Sequence, residues 1–275
     1  PQNGWRNLFF GWQARPGRDE AWYDRTKRAV PETAKLSPDL YMLKEYPATA
    51  EEALAPSQGS AHFDLGVLET MKQHIRQPIM SEGAMGIYVK YQLGRRYAAG
   101  TDTAHGVGGD YSVTVVMDLG SGAVVADVMS NELEVDEFAE QSIKMLHLYR
   151  DPIWGIEDND WGITVIKAAE AARYTHLYGE STLKERKNGW HTDNKSRMVM
   201  WGELRTQVNS GKVVVYNADG LRQFATVMLN LKARGRPEAK SGAHDDYPTA
   251  CAIAIQMEGN AFAYGGKMIS VGSRF

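Results

Sequence analysis

Five carboxylates stand where a chain seldom leaves a negative charge unpaired. Asp102 closes the run RRYAAGTD, and Asp110 follows a glycine-rich turn just before YSVTVVMDL. Glu157 ends PIWGIE, and Asp245 and Asp246 open HDDYPTACAIAIQM. A lone charge at the end of a buried strand is costly, and acids brought together repel unless a cation lies between them. Hard divalent ions take oxygen ligands, and Mg²⁺ combines a few carboxylates with water and phosphate. Two such ions about 3.5–4 Å apart suit phosphodiester hydrolysis, giving a nucleophile at neutral pH and stabilising the leaving oxygen. Taken singly, each acid has a plainer reading. Asp110 is a turn residue, the Asp-Asp pair caps a helix, and Glu157 in EDND is a solvated loop acid. Their joint placement at strand ends and a helix start favours a metal site.

Two basic groups accompany them. Lys184, Arg186 and Lys187 lie in TLKERKNGWH. Lys232, Arg234, Arg236 and Lys240 lie in LKARGRPEAKSGAHDD, which runs straight into the acid pair. Contact with phosphates is the functional reading, and a solvated connector is the other. His244 is expected to make a structural hydrogen bond, with orientation of a water or phosphate as the alternative. Trp154, Trp161 and Cys251 read as core.

The elements that must position these residues follow from periodicity. RRYAAGTD, YSVTVVMDL and AVVADVMS read as three strands, the last two joined by a tight Ser121-Gly122 turn. From Val135 the period becomes helical, with Val135, Phe138, Ser142 and Tyr149 on one face. PIWGIE is then a short buried strand and WGITVIKAAEAARY a helix. NKSRMVMWGELRTQV is a second helix, KVVVYN a strand, GLRQFATVMLNL a third helix and HDDYPTACAIAIQM a fourth. Leu65 to Gln77 is expected to be helical up to Pro78. Residues 1–64 read as irregular chain with one short helix. The fold class is α/β: a mixed sheet of three antiparallel strands followed by alternating helix and strand, with helices on both faces.

The chain has 275 residues and a formal net charge of −3, too acidic overall for a wholly basic nucleic-acid binder. Without the five acids that charge would be +2, so the remaining surface is slightly basic. A single cysteine excludes an intrachain disulfide and a cysteine-rich zinc site. No apolar run reaches membrane-span length. The opening PQNGWRNLFF has no methionine, and a piece of a longer protein is expected.

Four motifs in order, GTDTAHGVGGDYS, GIEDNDWG, GWHTDNKSRMVMWGEL and SGAHDDYPTACAIA, resemble the nuclease domain of the large terminase subunit of tailed bacteriophages, of the RNase H-like fold. EYPATAEEALAPS resembles that family's segment between ATPase and nuclease, and PQNG an element late in the ATPase domain. The resemblance implies residues 1–64 as the end of the ATPase domain and linker, and 65–275 as the nuclease. It implies Asp102, Glu157 and Asp245 as catalytic metal ligands, with Asp110 and Asp246 auxiliary. It implies two Mg²⁺ or Mn²⁺ ions and double-stranded DNA as substrate. The implied partners are an N-terminal ATPase domain, a portal and a small terminase subunit, in the host cytoplasm. No G-x-x-x-x-G-K-[ST] phosphate loop occurs, so no ATPase chemistry is expected of this chain itself. Three other readings stay open: a junction resolvase or transposase-like nuclease of the same fold, an actin-like ATP-binding module using Asp219-Gly220, and a non-catalytic docking module.

Overall fold

The computed structural model describes residues 8–31, 38–54, 61–104, 109–158, 161–181, 186–230 and 236–262. The chain divides into two compact units, 1–61 and 62–275. The PQNG element, Lys184, Lys232 and Arg234 lie outside the described residues, as does the side chain of Arg186.

The first unit holds helices α1 (Glu20–Arg28), α2 (Pro38–Glu45) and α3 (Ala50–Leu54). Asp19 caps α1 by accepting from the Trp22 amide. Trp12 packs on Trp22 and Tyr23, and its amide donates to the Pro47 carbonyl at 3.1 Å. Three helices therefore stand where the sequence reads as irregular with one. The reason is that α1 buries no residue fully, which leaves no apolar stripe to read.

The second unit opens on α4 (Leu65–Met71), whose cap Asp64 accepts from the amides of Gly66 and Val67. The helix expected to reach Gln77 stops at Met71 and continues as a single 3-10 turn, Lys72–His74. Then come β1 (Met80–Glu82), β2 (Met85–Ile87), β3 (Tyr97–Asp102), β4 (Ser112–Asp118), β5 (Ala123–Ser130), α5 (Val135–Leu148), β6 (Ile153–Ile156) and α6 (Gly162–Ala171). A hairpin of β7 (Gly179–Ser181) and β8 (Arg186–Asn188) leads to α7 (Asn194–Asn209), β9 (Val214–Val215) and α8 (Ala218–Thr226). A second hairpin, β10 (Val227–Asn230) with β11 (Arg236–Ala239), precedes α9 (Asp246–Gln256).

Among the described residues one sheet runs in the order β1-β2-β5-β4-β3-β6, with β9 added in parallel to β5. β3, β4 and β5 are antiparallel neighbours, and β6 joins β3 in parallel, as expected for the mixed sheet. Val113, Val115 and Met117 pack on one face with Trp201, Leu204 and Tyr247 of α7 and α9. Val116 and Val125 pack on the other with Phe138, Met145 and Val165 of α5 and α6. With both faces covered, β4 is buried throughout, which is why it reads as an unbroken apolar run.

One expected helix is corrected. GLRQFATVMLNL turns at Thr226, and its second half is strand β10. Val227 to Leu229 carry side chains compatible with either period, and pairing with Arg236–Ala239 decides for strand. The three-residue strands β1, β2, β7 and β8 are too short to show a period in the sequence.

Two packing features set the geometry of the strand ends. Gly100 and Gly155 are register partners on β3 and β6. A Cβ on Gly100 would lie 2.1 Å from the Ala250 carbonyl oxygen and 2.4 Å from the Ala254 amide nitrogen. One on Gly155 would lie 2.8 Å from Met257 Sδ and 2.9 Å from Ile253 Cγ2. Helix α9 is thus seated directly on strand backbone. On the opposite face Trp154 Nε1 donates to Thr101 Oγ1 (2.7 Å), whose hydroxyl meets Thr114 Oγ1 (2.8 Å), which in turn meets Ser142 Oγ (2.9 Å). All four residues are fully buried.

Candidate metal centre

Side chains alternate along a strand. Gly100 faces α9, so Asp102, two residues on, shares that face. The same parity puts Gly155 and Glu157 there. Thr101 pairs with Ile156, and the Glu157 amide donates to the Thr101 carbonyl at 3.1 Å, so Asp102 and Glu157 leave neighbouring strand ends side by side. Opposite them α9 begins, with Asp245 at its cap position and Asp246 as its first residue.

The plain capping role is not observed, since the Asp245 side chain makes no cap hydrogen bond. Removal from water pushes the Asp102 carboxyl well above the usual range. The charges of Glu157, Asp246 and Asp245 and a hydrogen bond with Glu157 push it the same way. Burial likewise pushes Asp246 up to about 7, with the charges of Asp110 and Asp245 adding to it and the Tyr111 amide, donating to Oδ2 at 3.1 Å, opposing it. Asp245 is raised by burial too. Arg197, whose Nη2 lies 3.2 Å from Asp245 Oδ2, works against that rise, as do the Ala239 amide and the Arg236 charge.

Asp110 is exposed, and His244 Nδ1 donates to its Oδ1 at 3.0 Å. His244 Nδ1 is also 3.8 Å from Asp246 Oδ2, and ligand atoms of Asp110, His244 and Asp246 all lie within 4.8 Å of one another. The five acids singled out in the sequence therefore form two groups: Asp102, Glu157, Asp245 and Asp246 in one, Asp110 and His244 with Asp246 in the other. Asp246 belongs to both. Mutually repelling acids partly withdrawn from water, with oxygen donors predominating, fit a hard divalent ion.

Of the basic residues, Arg236 starts β11 and lies close enough to favour ionised Asp245. Lys240 follows β11, its amide bonded to the Thr226 carbonyl at 3.0 Å. Lys187 on β8 bonds Asp158, the neighbour of Glu157. Trp154 and Cys251 are core as expected, while Trp161 is 39% exposed. The sequence reading missed Asp158, His191 and Arg197. The motif containing His191 and Arg197 stood out only as a block, and Asp158 stood within an acidic run with nothing to mark it as buried. Asp219 and Gly220 sit in the first turn of α8, so the phosphate loop required by the actin-like reading is not formed there.

The raised carboxyls make a prediction about pH. Each titrates higher when folded than when unfolded, so its cost is absent below about pH 4 and grows as pH rises. For Asp246 that window closes at about 7. Divalent ions should relieve the cost, because they compete with protons for the same oxygens. Mn²⁺ or Mg²⁺ is therefore expected to raise the melting temperature more at pH 8 than at pH 5. The difference between curves with and without ion is the readout, because Asp127, pushed up to about 6 by burial, and His62, pushed down to about 4 by burial, titrate in both. Equal gains at the two pH values would place ion binding elsewhere.

Residues 99–258 match the family model described as the terminase RNaseH-like domain. No curated protein matches the chain. Among solved structures, the large terminase nuclease of thermophilic phage G20c with bound magnesium is similar at a TM-score of 0.57 and 19% identity, covering 72% of this chain and 97% of that one. The nuclease domain of the Thermus phage P74-26 large terminase is similar at 0.53 and 21%, covering 76% and 99%. At these identities the structural likeness shows the fold.

Proposed function

The chain belongs to the terminase RNaseH-like domain family, and from that premise we propose that residues 65–275 are the DNA-cutting domain of a phage genome-packaging terminase. The activity is divalent-metal-dependent endonucleolytic hydrolysis of concatemeric viral DNA. The observation that carries this reading is the convergence of Asp102, Glu157, Asp245 and Asp246 from two parallel strand ends and one helix start, with the Asp102, Asp245 and Asp246 carboxyls pushed up by burial and by neighbouring acids. Asp102, Glu157 and the Asp245–Asp246 pair would hold one ion, and Asp110, His244 and Asp246 a second. Bound there, Mg²⁺ or Mn²⁺ would supply a nucleophile at neutral pH and stabilise charge on the leaving oxygen.

The chain's own residues do the positioning. Glycine-seated α9 holds the acid pair against the strand ends, and the Tyr111 amide fixes Asp246 Oδ2. Arg197 orients Asp245. Arg236, Lys240 and Lys187, with Lys184, Arg186, Lys232 and Arg234, would meet phosphates without reading bases. The family premise also supports residues 1–64 as the end of an ATPase domain and its linker. It supports an ATPase motor, a portal and a small terminase subunit as partners in the host cytoplasm.

The test is cleavage of plasmid DNA by the purified chain. Mg²⁺ or Mn²⁺ should support it, EDTA should abolish it, and Ca²⁺ should support it poorly because its looser coordination positions the reactants less well. Cleavage unaffected by EDTA would overturn the metal-dependent reading.

A further inference from the structure

One buried carboxylate beside the acid cluster has no part in the site described above. Asp158 directly follows Glu157 and is 6% exposed. Its two oxygens are taken by two surface cation-forming side chains: Lys187 Nζ lies 2.6 Å from Oδ2, and His191 Nδ1 donates to Oδ1 at 2.9 Å. Lys187 and His191 are otherwise open to solvent, at 69% and 59% side-chain exposure. The backbone presses the same segments together. The Asp158 amide donates to the Trp190 carbonyl at 2.9 Å, and the Trp190 amide to the Ile156 carbonyl at 2.6 Å. Gly189, at φ +116°, lies so close that a Cβ there would be 2.7 Å from Asp158 Cβ.

A lysine on an exposed strand ordinarily samples many rotamers, and holding one costs entropy. Here a buried acid restrains it in the chain segment that flanks Glu157. With His191 on Oδ1, the other oxygen is left to Lys187. One of the three ammonium donors is used inward, and two remain for a ligand outside. The ligand that suits an oriented, outward-facing ammonium beside a nuclease site is a backbone phosphate oxygen.

We propose that Asp158 is a positioning residue that, with His191, holds Lys187 as a contact for a DNA backbone phosphate next to the cleavage site. The inference rests on the nuclease reading, which supplies the DNA. It differs from a mere fastening of the β7–β8 hairpin in the sign of one effect. Removing an acid near DNA ordinarily strengthens binding, because repulsion is lost. Asp158→Asn should instead weaken it, because the amide no longer holds the lysine.

The test is a salt titration of duplex DNA binding in Ca²⁺ for the parent, Lys187→Met, Asp158→Asn and the double variant, with melting temperatures alongside. Lys187→Met should lower the slope of log affinity against log salt by about 0.9. Asp158→Asn should weaken binding about threefold, and the double variant should bind like Lys187→Met alone. Binding by Asp158→Asn equal to or tighter than the parent, or an unchanged slope in Lys187→Met, overturns the inference. A destabilised Asp158→Asn leaves the Lys187→Met slope to decide. A parent that binds no DNA at all would remove the nuclease reading and this inference together.

Discussion

Asp102→Asn lowers plasmid cleavage in Mg²⁺ or Mn²⁺ by at least about 10³-fold, since a ligated ion contributes several kcal/mol and each tenfold is about 1.4 kcal/mol. The same change leaves the ion-free protein at least as stable as the parent. Both expectations come from one observation: the Asp102 carboxyl is pushed well above its ordinary range by burial and by Glu157, Asp246 and Asp245. A group titrating higher folded than unfolded costs stability once pH exceeds its unfolded value. Asn keeps the size and removes that cost, and it removes the charge that holds an ion. Cleavage assays and urea unfolding in EDTA test the two halves. A variant that cuts like the parent would mean the acids are not a metal site, and a loss of stability would mean Asp102 supports the fold.

Gly100→Ala is the largest expected effect on the fold, at about 3 kcal/mol or more of destabilisation, the upper end for overpacking. The added carbon would fall 2.1 Å from a carbonyl oxygen and 2.4 Å from an amide nitrogen, both in the backbone of α9. A side-chain end could swing away, but a helix backbone cannot. The helix must retreat, and Asp245 and Asp246 at its first turn retreat with it. Urea unfolding should show the loss of stability, and any folded fraction should bind Mn²⁺ more weakly than the parent. Parent-like stability would mean that α9 moves away at little cost. Gly155→Ala is expected to be milder, because its nearest neighbours are the flexible ends of Met257 and Ile253.

The acids of the candidate site are legible in the sequence because their positions are local. Asp102, Glu157 and the Asp245–Asp246 pair each end or begin an element whose period shows in the sequence, and the helices on both faces follow from the same periods. What holds the acids was not legible. Arg197 reaches Asp245 across 48 positions, and His191 reaches Asp158 across 33. Both contacts depend on how α7 and the segment before it pack, which no spacing reveals. The β10–β11 hairpin was hidden for a different reason: Thr226 to Leu229 satisfy a helical period, and only the partner strand decides. Asp246, an auxiliary ligand by resemblance, acts on Asp102 and also lies within ligand distance of Asp110 and His244.

The buried hydroxyl chain from Trp154 through Thr101 and Thr114 to Ser142 has a consequence for how the chain can change over time. Odd and even positions of β3 go to opposite faces, and a shift of one residue exchanges them. A one-residue insertion or deletion between Tyr97 and Asp102 would turn the carboxylate into the apolar layer under α5 and break two buried hydrogen bonds at Thr101 at the same stroke. Insertions in the surface chain between β2 and β3 leave that parity intact. Length variation among descendants of this sequence should therefore accumulate ahead of Tyr97, while the six residues that end in Asp102 keep their number even where their identities drift.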